Sequence, residues 1–292
     1  MVRSVFIPAY AKINISLRVG EKRNDGFHSI ESIFQEISLA DYLSVSLSEK
    51  PGCTVFCLQG SIPECNTLTK AYTCFCTASG FQGGVEVKLI KRIPACAGLG
   101  GASSDAVALL KALDQLVGTR FSRSEFLTLA SQVGSDCSFF VEGGAAYVSG
   151  RGDVVDHIES RSLQGLLVFP HCESATARAY ELLDNYREQT GFLSKNARLS
   201  RRRVLDFFCT EPVDVWAEKT DCFCNDFEPV MLGLHPEIQK AKQALQSVGA
   251  SFSLMTGSGS SVYGLFESAK ATQEAFEVLR TQFSFCELFL TR

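Results

Sequence analysis

The sequence predicts an α+β protein of two domains, and three observations carry that reading. The first half is rich in alternating apolar runs, such as Ile13, Ile15, Leu17 and Val19, which read as half-buried strands. The second half closes with helix, hairpin, helix and strand across residues 236–290, the element order of a compact α+β sandwich. Between them, residues 156–165 are polar and precede the apolar run 166–170. That places a boundary there and domains at residues 1–160 and 161–292. A chain of 292 residues can bury two such cores.

Taken in order, residues 12–19 form a strand whose alternation puts Lys12, Asn14, Ser16 and Arg18 on the face opposite the isoleucines. From the pattern alone that face is a solvent-facing polar edge. A turn at Asn24-Asp25-Gly26 follows, with Phe27 and His28 directly behind it. An aromatic beside an imidazole can stack on a heterocycle, or plug the loop onto the core. Strands are expected at 31–39, 42–48 and 54–58, and a helix over 66–77 with Asn66 as its N-cap.

Residues 85–93 (V-E-V-K-L-I-K-R-I) read as a strand and 106–116 as an Ala/Leu-rich helix. Ser122-Arg123-Ser124-Glu125 is a capping box opening a helix to residue 133. Asp136 follows in an apolar neighbourhood, either capping a short helix or serving as a base at the end of a rigid element. Beyond it come a strand at 145–148, a buried strand at 166–170 and helices at 176–186 and 197–208. The basic run 198–203 is a solvated face of the last of these. A Cys/Asn/Asp-rich turn at 221–226 leads to a helix at 236–247, strands at 252–255 and 262–266, a helix at 269–282 and a last strand at 286–290. Thr256-Gly257-Ser258-Gly259-Ser260-Ser261 joins the hairpin strands and is longer than a tight turn needs.

Composition narrows the function. With 28 basic and 32 acidic residues the net charge is −4, which removes the global electrostatic case for nucleic-acid binding. No stretch approaches a transmembrane span. Ala9-Tyr10-Ala11 imitates a signal-peptidase site, but the apolar run before it is too short. Twelve cysteines include no C-x-x-C, and the four histidines are scattered, so spacing suggests neither a zinc site nor a disulfide framework. Cysteine then reads as a small buried apolar residue in a reducing, cytoplasmic setting.

The stretch from 94 to 105 carries the chemistry. Pro94, Ala95, Cys96, Ala97, Gly98, Leu99, Gly100, Gly101, Ala102, Ser103, Ser104 and Asp105 form a small-residue loop between a strand and a helix. Such a loop offers unpaired N–H groups and the positive end of a helix dipole to a phosphate. It is not a Walker A loop, because Ala102 stands where the lysine would follow the last glycine. The Rossmann fingerprint fails because Ser103 occupies the third glycine position. No H-R-D or D-F-G kinase motif occurs. Binding must therefore rest on backbone N–H groups and the Ser103 and Ser104 hydroxyls, with a metal ion neutralising charge.

The string G-L-G-G-A-S-S-D after Pro94 closely resembles the phosphate loop of the galacto-, homoserine, mevalonate and phosphomevalonate (GHMP) kinases. The residues 9–14 (A-Y-A-K-I-N) and Gly257-Ser258-Gly259 resemble that family's first and third motifs, in the same order. The stretches D-G-F-H-S-I-E-S-I-F-Q, G-S-D-C-S-F-F-V and N-D-F-E-P-V match one branch of it. The resemblance implies an N-terminal β-rich domain with a left-handed β-α-β unit and a C-terminal ferredoxin-like sandwich. It also implies ATP- and Mg²⁺-dependent phosphorylation of the 2-hydroxyl of 4-diphosphocytidyl-2-C-methyl-D-erythritol, in the non-mevalonate route to isoprenoids. By the same resemblance Asp136 is the catalytic base with Lys12 beside it. Residues 94–104 hold ATP, Asn14 lies near the reacting end of the substrate, and Phe27, His28 and Tyr180 hold the cytosine. The sequence departs from the family pattern at Ala102 and Cys96, where glycine is usual, and at Phe27, where tyrosine is. The alternatives are another kinase of the family, on mevalonate, homoserine or a sugar, and a non-catalytic nucleotide-binding partner. The Phe27-His28 loop argues against the first, and the presence of Lys12 and Asp136 against the second.

Overall fold

A computed structural model describes residues 4–60, 63, 64, 66–172, 174–191 and 201–292. Along them run β1 (Ser4–Lys22), β2 (His28–Ser48), β3 (Cys53–Cys57), α1 (Thr67–Ser79), β4 (Gly84–Ile90), α2 (Gly101–Val117), α3 (Arg123–Val133) and α4 (Cys137–Phe140). Next come β5 (Ala145–Ser149), β6 (Val154–Ile158), β7 (Gln164–Val168), α5 (Thr176–Thr190), α6 (Arg201–Thr210), a 3-10 helix (Val213–Glu218) and α7 (Glu228–Leu234). The chain ends with α8 (Pro236–Ser247), β8 (Phe252–Met255), β9 (Val262–Leu265), α9 (Ala269–Leu279) and β10 (Cys286–Leu290).

The chain forms two compact units. One comprises residues 1–11, 39–93 and 100–143; the other comprises 12–38, 94–99 and 144–292. β1 and β2 therefore each contribute residues to both.

In the first unit β3 and β4 pair in parallel with α1 between them, a β-α-β unit, and β4 pairs antiparallel with Tyr42–Ser48 of β2. Asn66 caps α1 through a reciprocal box with Thr69, and Gly80 closes it in the left-handed region. α2 is buried at nearly every position from Ser104 to Leu113, which makes it the central helix of this unit. Phe75 of α1 meets Phe121 edge-on at 5.7 Å, seating α1 beside the turn into α3.

In the second unit β10-β7-β9-β8 form an antiparallel sheet. Ile238, Ala241 and Leu245 of α8, and Ala275 and Leu279 of α9, are the buried faces that cover it. Gly264 on β9 lets α8 approach, since a Cβ there would stand 3.0 Å from Leu245. β5 pairs with Ser32–Gln35 of β2 on one side and β6 on the other.

Several expectations are corrected. Strands 31–39 and 42–48 are one strand, β2, because buried apolar residues continue through Ala40 and Asp41. α2 begins at Gly101, five residues earlier than its Ala/Leu run suggests, so Ser103 and Ser104 are helical rather than looped. β6, the 3-10 turn and α7 carried no clear periodic signal. The expected helix at 197–208 runs over 201–210; residues 197–200 lie outside the described residues. The cysteines are not uniformly buried: Cys137 and Cys222 are, Cys96 and Cys209 are exposed, and the other described ones are half-buried. Among the described residues no helix is long and apolar enough to cross a membrane.

Candidate active site

The polar face of β1 is not a solvent edge. Lys12 is 3% and Asn14 1% exposed. A buried ammonium needs acceptors, and Lys12 Nζ donates to Asn14 Oδ1 at 2.6 Å while lying 4.6 Å from the Phe34 ring centroid. Asn14 is the hub. Its Oδ1 also accepts the Gly257 N–H at 2.8 Å, its Nδ2 donates to Ser32 Oγ at 2.8 Å, and its backbone N–H donates to Thr256 Oγ1 at 3.0 Å. Asn225 holds the same turn from the other side, donating to the carbonyls of Met255 and Gly257 at 2.7 and 2.8 Å. Residues 256–261 are thus buried and braced rather than a loose loop.

The first half of the phosphate loop is fastened to these elements through its carbonyls. Cys96 O accepts from Ser174 N–H, Ala97 O from Ser261 N–H and Leu99 O from Lys12 N–H, at 3.0–3.2 Å. With its carbonyls engaged by the scaffold, the loop has N–H groups to offer an anion. Gly98 sits at φ 78°, and a Cβ there would stand 2.1 Å from Thr256 O. Gly257, at φ 57°, would in turn strike Gly98. Two glycine turns pack back to back where no side chain fits. Cys96 adopts φ 50° and is exposed, so the backbone there is one that glycine enters without strain.

In the other unit, Gly100 starts α2 with no side-chain cap, which leaves the first-turn N–H groups for a ligand. Ala102 is exposed, and its carbonyl accepts from Thr67 Oγ1 at 2.9 Å. Ser104 is buried. Ser103 hydrogen-bonds the thiol of Cys137; burial pushes that thiol up to about 12 against the pull of the Ser103 hydroxyl. Cys137 directly follows Asp136, so the structure brings the expected base to the start of the phosphate helix. Asp136 occupies the N-cap position of α4 without a side-chain cap bond.

Beneath Gly101 lies a charged cluster that the sequence did not disclose. Lys91 bridges Asp41 and Asp105, the latter at 3.0 Å, and Asp41 also accepts the N–H groups of Arg92 and Ile93. Both carboxylates are buried, and Asp105 Oδ1 has no hydrogen-bond partner among the described residues. Burial is the main cause that lifts Asp105 from 3.8 to about 7; Lys91 pulls it down and Asp41 pushes it up. Between those two values the folded chain holds a proton that the unfolded chain has released. Stability from this group is therefore present at low pH and lost as pH rises through about 7. Asp105→Asn, which keeps the neutral shape, is expected to gain in Tm on the parent as pH is raised from about 5 to about 8. A constant difference across that range would mean that Asp105 holds no such proton.

The Phe27-His28 loop belongs to the second unit. Phe27 is 53% exposed, so it is no core plug, and Arg151 lies over its ring at 5.1 Å. His28 is buried; its ring stacks on Tyr180 at 5.0 Å, and its Nε2 lies 2.9 Å from Asp184 Oδ1. Tyr180 and Asp184 stand one turn apart on α5 and grip the imidazole together. Asp184 was missed by sequence reasoning, although its i+4 spacing from Tyr180 was there to read.

Comparison with known proteins gives the family. Residues 66–144 match the GHMP kinase N-terminal domain and residues 217–284 the GHMP kinase C-terminal domain. The chain is 38% identical, over 98% of both chains, to the 4-diphosphocytidyl-2-C-methyl-D-erythritol kinase of Treponema pallidum subsp. pallidum. The chain belongs to the GHMP kinase family. A solved 4-(cytidine 5'-diphospho)-2C-methyl-D-erythritol kinase superposes on this GHMP kinase with a TM-score of 0.81 at 28% identity, covering 98% of this chain and 99% of that one. Homoserine kinase from Cytophaga hutchinsonii shares the fold at TM-score 0.74 and 20% identity, covering 100% and 95%. The fold is thus common to kinases of different acceptors, and the acceptor must be argued from the site.

Proposed function

We propose that this GHMP kinase transfers the γ-phosphoryl group of ATP to the 2-hydroxyl of 4-diphosphocytidyl-2-C-methyl-D-erythritol, a step of the non-mevalonate route to isoprenoids. The observation that carries the choice of acceptor is the exposed Phe27 ring next to His28, which Tyr180 and Asp184 hold in place. A nucleobase offers a π-face to stack together with ring heteroatoms to hydrogen-bond; homoserine, mevalonate and sugars have no π-face. The names of the full-length relatives point to the same acceptor.

The roles follow from phosphoryl transfer being mostly positioning and charge stabilisation. Backbone N–H groups of residues 98–103 and the Ser103 and Ser104 hydroxyls hold the ATP phosphates, the uncapped start of α2 and the engaged loop carbonyls being fitted to an anion. Mg²⁺ carried by the triphosphate supplies neutralisation that no loop lysine gives. Asp136 accepts the proton of the attacking hydroxyl. Lys12, held by Asn14, supplies positive charge for the transfer. ATP binding is assigned to residues 1–160 and the ferredoxin-like half to 161–292, in a cytoplasmic enzyme.

The test is direct. Purified chain with ATP, Mg²⁺ and the diphosphocytidyl substrate should release ADP in step with substrate consumed, and should not turn over homoserine or mevalonate. Folded protein that leaves the diphosphocytidyl substrate untouched overturns the reading. Phe27→Ala should raise KM for that substrate about 10- to 100-fold, the worth of one base–aromatic stack, with KM for ATP little changed. Equal shifts in both would dismiss Phe27 as a base platform.

A further inference from the structure

Sequence spacing offers no metal site, yet the fold brings three side chains of metal-ligating type together. Cys172, His235 and Glu237 come from two separate stretches, and their ligating atoms all lie within 4.8 Å of one another. We propose that these three side chains bind a thiophilic divalent cation of the zinc class, separately from the magnesium that accompanies ATP.

The ligand chemistry selects the metal. One thiol, one imidazole and one carboxylate are a borderline-soft set that suits Zn²⁺ or Co²⁺, whereas Mg²⁺ asks for oxygen ligands and near-octahedral geometry. Three protein ligands with a fourth position left to water is the arrangement of an open tetrahedral site. Zinc–ligand bonds of about 2.0–2.3 Å place neighbouring ligands roughly 3.3–3.8 Å apart. A spread of 4.8 Å is therefore closed by small side-chain rotations, without backbone movement.

The scaffold holds the donors still. His235 is the residue shared between α7 and α8; its N–H donates to Met231 O at 2.9 Å and its carbonyl accepts from Ile238 N–H at 3.0 Å. Glu237 stands in the first turn of α8, with Pro236 before it and the fully buried Ile238 after it. The carbonyl of Cys172 accepts from the Ser260 hydroxyl, and Ser174 Oγ donates to Ser258 O at 2.9 Å. The backbone that carries the thiol is therefore anchored to the turn at 256–261 that backs the phosphate loop. Binding replaces the thiol proton by the metal, with the proton released to solvent. Cys172 and His235 are half-buried and Glu237 exposed, so a cation has a path in. Nothing in the proposed phosphoryl transfer uses these residues, and the two readings stand or fall apart.

The experiment uses the full chain, stripped of metal and kept reduced with a phosphine, titrated with Co²⁺ and then with Zn²⁺. One equivalent of Co²⁺ is expected to give the intense visible bands of a tetrahedral site and a thiolate-to-cobalt charge-transfer absorption. Zn²⁺ should abolish both, and excess Mg²⁺ should leave them. Cys172→Ser should remove the charge-transfer absorption, while Cys209→Ser, at an exposed cysteine elsewhere, keeps it. Glu237→Gln, exposed and so harmless to folding, should weaken Co²⁺ binding by at least about tenfold. Absence of the charge-transfer absorption in the parent, its survival in Cys172→Ser, or unchanged affinity in Glu237→Gln would each overturn the site.

Discussion

Asp136→Asn is expected to lower kcat about a thousandfold while leaving the Kd for ATP close to that of the parent. The asparagine keeps the shape and can still hydrogen-bond an acceptor hydroxyl, but it cannot take its proton. A positioned base contributes about 10²- to 10⁴-fold, so a loss of this size is the signature of proton transfer rather than of a lost contact. Folding should survive, because the Asp136 side chain does not cap α4 and the residues that follow it, Cys137 to Phe140, carry the packing themselves. The measurements are steady-state kinetics with saturating diphosphocytidyl substrate and nucleotide binding by equilibrium titration. A kcat within about tenfold of the parent would remove Asp136 from the base role. A parallel rise in the Kd for ATP would place its effect in the phosphate helix instead, through Cys137 and Ser103.

What the sequence disclosed, and what it hid, divides along physical lines. Elements whose signal is local came out close to their observed bounds: the Asn66 and Ser122 caps, and the β8, β9 and β10 strands. The glycine turn at 98–100 was legible too, because glycine spacing is a backbone property. Misreadings arose where tertiary packing overrides local pattern. The alternation 12–19 implied a wet face, but burial covers both sides of β1, and the polar residues on it become a network instead of an edge. The start of α2 was placed too late because Gly101, Ser103 and Ser104 are weak helix formers held helical by context. Lys91, Asp41 and Asp105 are separated by 50 and 14 positions, and no spacing rule joins them. The same holds for Cys172 with His235 and Glu237. Side-chain clusters assembled by topology are invisible to a linear reading, whereas turns and caps are written in it.

Gly98→Ala is the substitution expected to do most damage to the fold around the site. Two independent penalties meet at this position. At φ 78° an alanine pays for the left-handed region, about 1–2 kcal/mol. Its Cβ would also stand 2.1 Å from Thr256 O, a backbone atom that cannot rotate aside. Thr256 is fully buried and its hydroxyl is bound to Asn14, while its neighbour Gly257 bonds the Asn14 side chain. The turn can therefore yield only by breaking the network that holds Lys12. Either the loop moves away and its N–H groups lose their aim, or the turn moves and the Asn14 bonds to Thr256 and Gly257 are disturbed. In both cases nucleotide binding and stability fall together, with a stability loss larger than that of the left-handed backbone alone, about 1–2 kcal/mol. Thermal unfolding and ATP titration on the same preparation check this. Gly118→Ala supplies the comparison, since that glycine has φ 78° and no atom within 4 Å of an added Cβ, so it pays the backbone penalty alone. Equal losses of Tm in the two variants would show that the approach of Gly98 to Thr256 contributes nothing beyond φ. A much larger loss at Gly98, accompanied by loss of ATP binding, assigns the difference to the packing of the two glycine turns.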